Sequence, residues 1–197
     1  TAPGLDEADR KLVDAAERNA RRQLRLVEGI LEIARLEEGA LPVRRQDVEV
    51  DDVVGEALRT LMPAAEARGL ALVSDLPAGL PAVRVDPELV SRVLENLVGN
   101  AVKFSAPGAG PILVSARPDG MAVEVRVRDS GPGIEETLRP RLFEKFAVGT
   151  QPGRGSGLGL PFCRLAVEAH GGQMWLEHPG PGAVFAFSLP VAGTPAA

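Results

Sequence analysis

The chain has 197 residues, 45% of them hydrophobic and 25% charged, which is enough for one good core and an appended element. A formal charge of -5 and a pI near 5.2 argue against a broad nucleic-acid or anionic-membrane footprint. A single cysteine, Cys163, excludes an internal disulfide, and one Cys with the separated His170 and His178 assembles no zinc cluster, so a cytoplasmic setting fits best.

No run approaches the roughly 18 apolar residues of a spanning helix, and Thr1-Ala2-Pro3-Gly4 leads into charged residues, so no membrane contact is expected of this chain. Residues 6 to 38 contain no Pro and, as their one glycine, Gly29, which predicts a single helix of about 30 residues stopping near Gly39. Leu24, Val27, Leu31 and Ala34 form a stripe with Leu26, Ile30 and Ile33 beside it, while the first half is more polar. Two readings stand: a helix packed on its own domain, or an exposed bundle element seeking a partner. Gly39-Ala40-Leu41-Pro42 reads as a hinge, dividing the chain into an arm, 1–42, a compact unit, 43–191, and a flexible tail, 192–197.

In the compact unit Val43 to Val50 predicts an edge strand, Val53 to Arg68 an amphipathic helix tolerating Pro63, and Leu70 to Val73 and Ala82 to Val85 short strands. Asp86-Pro87 supplies an N-cap followed by proline at the first helical position, opening a helix from Pro87 to about Phe104. Ile112 to Arg117 and Ala122 to Arg128 predict a hairpin across Pro118-Asp119-Gly120-Met121, with Val123, Val125 and Val127 facing one way and Glu124, Arg126 and Arg128 the other. A Gly- and Pro-rich stretch with a helical piece at Glu135 to Glu144 follows. Then come a glycine run, a helix to about Ala169, a turn at Gly171-Gly172, and strands at Gln173 to Glu177 and Ala183 to Leu189. This order predicts an α/β two-layer sandwich, helices on one face of a mixed, largely antiparallel sheet, preceded by the long helix.

Asn96, Asn100 and Lys103 fall at i, i+4 and i+7, so two amides and an ammonium share one side of their helix while Val90, Val93, Leu94, Leu97, Ala101 and Phe104 anchor the other. Amides can support a divalent cation and a lysine can neutralise phosphate; alternatively the stripe only solvates an exposed face. Asp129, ahead of Gly131 and Gly133, can accept from an exocyclic amine such as that of adenine, with an ordinary Asp-Gly turn as the alternative. In Gly153-Arg154-Gly155-Ser156-Gly157-Leu158-Gly159-Leu160, alternating glycines can bring backbone N–H groups to phosphate oxygens at a helix start, without the Lys-Ser/Thr of a P-loop. Arg154 is a phosphate contact or a solvated loop residue, and Leu158 and Leu160 are expected in the core. Phe143-Glu144-Lys145-Phe146 reads as a pair of aromatic anchors for the loop beyond, with Lys145 a weak ligand candidate.

These stretches, in this order, resemble the catalytic ATP-binding domain of bacterial sensor histidine kinases, of the gyrase, Hsp90, histidine kinase and MutL superfamily. Asn96 to Lys103 matches the N box, Asp129 to Gly133 the G1 box, Phe143 to Phe146 the F box and Gly155 to Gly159 the G2 box, within a likeness over about residues 45 to 190. The resemblance implies the Bergerat ATP-binding fold with ATP and Mg2+. Asn100 would be the principal magnesium ligand, Asn96 a supporting residue at the metal or phosphate end and Lys103 a phosphate contact. Asp129 would read adenine in a pocket shaped by Gly131 and Gly133; Gly155, Gly157 and Gly159 would frame a hinged lid that is short, Ala147 to Arg154, and Arg154 and Leu158 join them as cofactor-binding residues. It also implies a kinase instead of an efficient ATPase, because such ATPases place a Glu base where this chain has Asn96, and neighbouring Glu95 is rotated by about 100°.

The family's phosphoacceptor histidine lies in a His-Glu/Asp-Leu-Arg-like box that this chain lacks. The resemblance therefore implies transfer to a histidine outside it, with His170 and His178 structural or exposed. The helix 6 to 38 resembles the second helix of the dimerisation hairpin. Expected partners are a histidine-bearing dimerisation helix, a downstream response regulator and a second copy through the N-terminal helix. A non-enzymatic, nucleotide-sensitive binding module and an anti-sigma-type serine kinase are the alternatives.

Overall fold

Local signals set most elements of the structure, a computed structural model that describes residues 7–149, 155–178, 180 and 182–193. The Pro-free opening folds as α1 (Glu7–Glu37), which ends where Gly39 takes φ +63° and the amides of Ala40 and Leu41 turn back to the Arg35 carbonyl. The helix has two faces. Ile33 and Leu36 join the core, whereas Leu24, Val27 and Leu31, roughly 160–220° around from Gly29 at about 100° per residue, are exposed.

Val43 to Val50 does not form one strand. β1 is Gln46–Val48, because its antiparallel partner β3 (Val83–Val85) offers three residues between Pro81 and the Asp86 cap. Val50 already opens α2 (Val50–Glu66), three residues earlier than expected, with Pro63 in its last turns. Leu70 belongs to the turn that closes α2, its amide bonded to the Ala65 carbonyl, so β2 (Leu72–Asp75) starts later than its apolar run. α3 (Pro87–Phe104) has the expected bounds.

In the hairpin of β4 (Ile112–Asp119) and β5 (Ala122–Arg128), Pro118 and Asp119 continue the ladder opposite Val123 and Ala122, leaving Gly120 and Met121 as the turn. The expected helical piece at 135–144 is one short turn at Arg139–Arg141, where Pro140 removes a donor. α4 (Gly159–Ala169), β6 (Met174–His178) and β7 (Val184–Pro190) complete the fold. Pairing runs past the expected start of the tail, since Ala192 N–H donates to the Ala82 carbonyl; residues 194–197 lie outside the described residues.

The main sheet has the order β2-β4-β5-β7-β6, with β2 parallel to β4 and every other pair antiparallel. β1 and β3 form a separate ribbon, joined to the chain beyond β7 by a Val83–Val191 bridge. Val53, Val54, Val90 and Leu94 of α2 and α3 meet Val125, Phe187 and Leu189 of the sheet, so helices cover one face. The other face departs from the alternation read in β5: Glu124 is only 3% exposed. It sits in a central strand, ion-paired to Arg117 and Arg126, and Arg126 also reaches Glu177 (2.6 Å). Two guanidinium groups thus offset the charge of a carboxylate almost wholly removed from water.

Candidate nucleotide site

α3 is held firmly before it offers anything to a ligand. Asp86 Oδ1 accepts from the Glu88 and Leu89 amides (3.1 and 3.4 Å) and Oδ2 from Arg44 N–H (2.9 Å), a cap worth about 1 kcal/mol. The Asp86 amide donates to His170 Nε2 (2.9 Å), which makes Nδ1 the protonated nitrogen that donates to the Ala166 carbonyl (2.7 Å). Burial pushes the His170 pKa down from 6.5, only partly opposed by the Ala166 carbonyl. This histidine is a neutral strut joining the start of α3 to the end of α4. The His178 side chain lies outside the described residues.

Three segments converge on the outer side of α3. At its C-terminal end, the turn after β5 packs on Phe104: a Cβ at Gly131 would stand 3.3 Å from the Phe104 carbonyl oxygen. Asp129 Oδ1 accepts from the amides of Gly131 (2.8 Å) and Ala183 (3.0 Å), which fixes the carboxylate and leaves Oδ2 outside both bonds. Gly182 N–H donates to the Gly131 carbonyl (2.8 Å), so the start of β7 backs this turn, and Gly133 takes φ +83°.

Midway, Asn100 is half-buried, and Lys103 Nζ would lie 3.2 Å from a Cβ on Gly155. Towards the N-terminal end, Asn96 Nδ2 donates to the Arg92 carbonyl (2.8 Å), and its Oδ1 rests against Gly159, where a Cβ would come within 2.8 Å. Residues 155 to 159 thus run alongside the stripe of Asn96, Asn100 and Lys103, bringing together the glycines singled out from sequence. Arg154 lies outside the described residues.

Gly157 closes this segment onto residues 143 to 146. Its carbonyl accepts from Phe146 N–H (2.9 Å), its φ is +69°, and a Cβ would stand 2.6 Å from Phe146 Cα. The two rings do not play the same part. Phe143 is half-buried with the Arg164 guanidinium 5.7 Å from its centroid, but Phe146 is exposed with φ +63°, so it is no anchor. Lys145 pairs with Glu37 at the end of α1 (2.7 Å).

Leu158 is buried, as expected of a core residue, with its Cδ1 3.4 Å from where a Gly29 Cβ would be. A bidentate pair between Arg92 and Glu32 adds a second contact between α1 and the site, and the Arg92 guanidinium lies 4.4 Å from the Phe162 ring centroid. The sequence reading missed Arg92, Glu32, Glu37 and the Gly182-Ala183 support. For Arg92 the signal was present, one turn before Asn96 on the same stripe; for the others it was not, because they act through tertiary contacts.

Magnesium in a nucleotide complex keeps waters and phosphate oxygens and takes few protein ligands, so one amide oxygen such as that of Asn100 suits it. Among the described residues no helix is long and apolar enough to cross a membrane.

Residues 85–193 match the family described as histidine kinase-, DNA gyrase B-, and HSP90-like ATPase. The chain is 34% identical over 191 residues to the adaptive-response sensory kinase SasA of Synechococcus sp. (strain JA-3-3Ab), covering 95% of itself and 51% of that protein. It therefore spans about half the length of this curated relative. Full-length ShkA, solved in complex with AMPPNP, is similar with a TM-score of 0.82 at 30% identity, over 98% of this chain and 41% of that one. The catalytic domain of histidine kinase ThkA, in a nucleotide-free form, is similar with a TM-score of 0.68 at 27% identity, over 75% of this chain and 96% of that one. The chain belongs to the histidine kinase-, DNA gyrase B-, and HSP90-like ATPase family and corresponds to the catalytic part of the sensory kinases it resembles.

Proposed function

We propose that the chain binds ATP with Mg2+ along the outer side of α3 and donates the γ-phosphoryl group to a histidine imidazole outside this sequence. The observation that carries the reading is the convergence of Asp129-Gly131, Lys103-Gly155 and Asn96-Gly159 along one helix, which supplies a base-reading carboxylate, a phosphate cation and backbone amides in a single row. Asp129 Oδ2 accepts from the adenine amine while Oδ1 stays bonded to the backbone, and Gly131 and Gly133 flank the ring. Lys103 and the amides from Gly155 to Gly159 neutralise and orient the phosphates at the start of α4.

Asn100 would hold Mg2+, with Asn96 supporting at the same end, and the ion would supply positive charge to the phosphate oxygens. Asn96 is no base, so water is not activated and the phosphoryl group is kept for an incoming imidazole. The arm 1–42 serves as one helix of a dimerisation hairpin through Leu24, Val27 and Leu31, and the unit 43–191 as the catalytic domain; a response regulator receives the phosphoryl group downstream.

Calorimetric titration with ATP and Mg2+ tests this. Micromolar-range binding, on the order of -7 to -8 kcal/mol, is expected. Asn100→Ala weakens it chiefly in its magnesium dependence. With labelled ATP and a separate histidine-bearing helical hairpin, label moves to the hairpin; binding without any transfer instead identifies a regulatory module.

A further inference from the structure

The polar stripe of α3 does not begin at Asn96. Arg92, Asn96, Asn100 and Lys103 follow one another at i, i+4, i+8 and i+11 on one side of the helix. Arg92 is also the next group along the row in space, since its carbonyl holds the Asn96 amide at 2.8 Å. Its side chain shares a cleft with Asn96, Ser156, Gly159 and the Glu28 and Glu32 carboxylates of α1.

The adenine-reading end of the row is at Asp129 and Phe104, so a polyphosphate laid along it runs towards the start of α3 and brings its last phosphate to Asn96. Arg92 stands one helical turn, about 5.4 Å, beyond that point, within reach of an arginine side chain. In this structure both terminal nitrogens of Arg92 lie on Glu32 and its plane lies over Phe162. A guanidinium fork fits a carboxylate and a phosphate in the same bidentate geometry, and cannot serve both at once.

We propose that Arg92 is a specificity-determining residue for the terminal phosphate, sequestered by Glu32 while α1 is docked and handed to the γ-phosphoryl oxygens when that pair opens. The inference rests on the ATP-binding reading and adds to it a competition between an α1 carboxylate and the nucleotide. The competition acts only on nucleotides long enough to reach Arg92. ATP gains when Glu32 is removed, and ADP, which ends one phosphate short, does not.

The test is calorimetric titration of the full chain with Mg-ATP and Mg-ADP for wild type, Glu32→Gln, Arg92→Gln and the double variant, with thermal melts to confirm folding. Glu32→Gln is expected to tighten ATP by about three- to tenfold and ADP by less than about twofold. The double variant is expected to lose that gain, because no guanidinium remains to be released. A Glu32→Gln variant with an unchanged ATP-to-ADP ratio, or a double variant that keeps the gain, overturns the proposal while nucleotide binding itself stands. Absence of any nucleotide binding in wild type overturns both this proposal and the reading beneath it.

Discussion

Asp129 carries two duties that two substitutions separate. Its Oδ1 accepts from the amides of Gly131 (2.8 Å) and Ala183 (3.0 Å), tying the turn after β5 to the start of β7; Oδ2 is the proposed acceptor for adenine. Asp129→Ala removes the acceptor from two partly buried backbone donors, each costing about 1–3 kcal/mol when left unpaired, for a total of about 2–4 kcal/mol after partial access to water. For a chain of this size that lowers the melting temperature by about 5–15 °C. Asp129→Asn keeps an oxygen at the Oδ1 position and both bonds, losing only their charge assistance, about 0.5–1.5 kcal/mol. It also puts an NH2 group where Oδ2 was, so that donor meets donor at the adenine amine. Calorimetric melts and ATP titrations on both variants decide the matter: Asp129→Asn should melt near wild type yet bind ATP at least tenfold more weakly. An Asp129→Asn variant that binds ATP as tightly as wild type, or an Asp129→Ala variant that melts with it, refutes the division of labour.

Gly157→Ala puts a methyl group at a φ of +69° and 2.6 Å from Phe146 Cα, so we expect a loss of about 2–4 kcal/mol in urea unfolding and weaker ATP binding, whereas wild-type stability means that residues 146 and 157 do not touch in solution. The pH dependence of stability should carry the mark of His170. Its folded pKa lies below 6.5 because burial favours the neutral ring, so the unfolded chain takes up this proton first as pH falls. The contribution is complete above about pH 6.5 and is lost as pH drops from there towards the folded value; urea midpoints measured from pH 8 to 5 should fall over that window, and His170→Gln should flatten that part of the curve.

Much of this was legible locally. Asp86-Pro87 at one end of α3 and an uninterrupted apolar side fixed that helix to the residue, and with it the spacing of Asn96, Asn100 and Lys103. The glycines of residues 155–159 stood out because alternating bare backbone fills no core volume; in the fold Gly157 and Gly159 admit the close approach of Phe146 and Asn96. Tertiary pairing decided the rest. Three residues of β3 cut β1 short, a central position buried Glu124 although Arg128 in the same pattern faces water, and contact with Gly157 rather than hydrophobicity set the conformation of Phe146. α1 admits two accounts because both of its faces are apolar; in the folded chain one, with Ile33 and Leu36, is covered and the other, with Leu24, Val27 and Leu31, is open.

α1 touches the edge of the proposed site through Gly29, Glu32 and Glu37. α3 is capped, struck through by His170 and buried on its inner side, so it is the part least free to move. Near the site α1 meets the glycine segment and its neighbours through Gly29 on Leu158 and Glu37 on Lys145, and the first stripe residue through Glu32 on Arg92. Leu24, Val27 and Leu31 lie on the opposite face of the same helix, so a partner packing there can shift or rotate α1 without touching the nucleotide. A rotation of α1 would carry Gly29, Glu32 and Glu37 together, and it would cost the burial of Ile33 and Leu36, which the same face holds in the core. Asn96, Asn100 and Asp129 make none of these three contacts, so on the proposed reading a displaced α1 would alter Arg92 and Leu158 and leave those three in place.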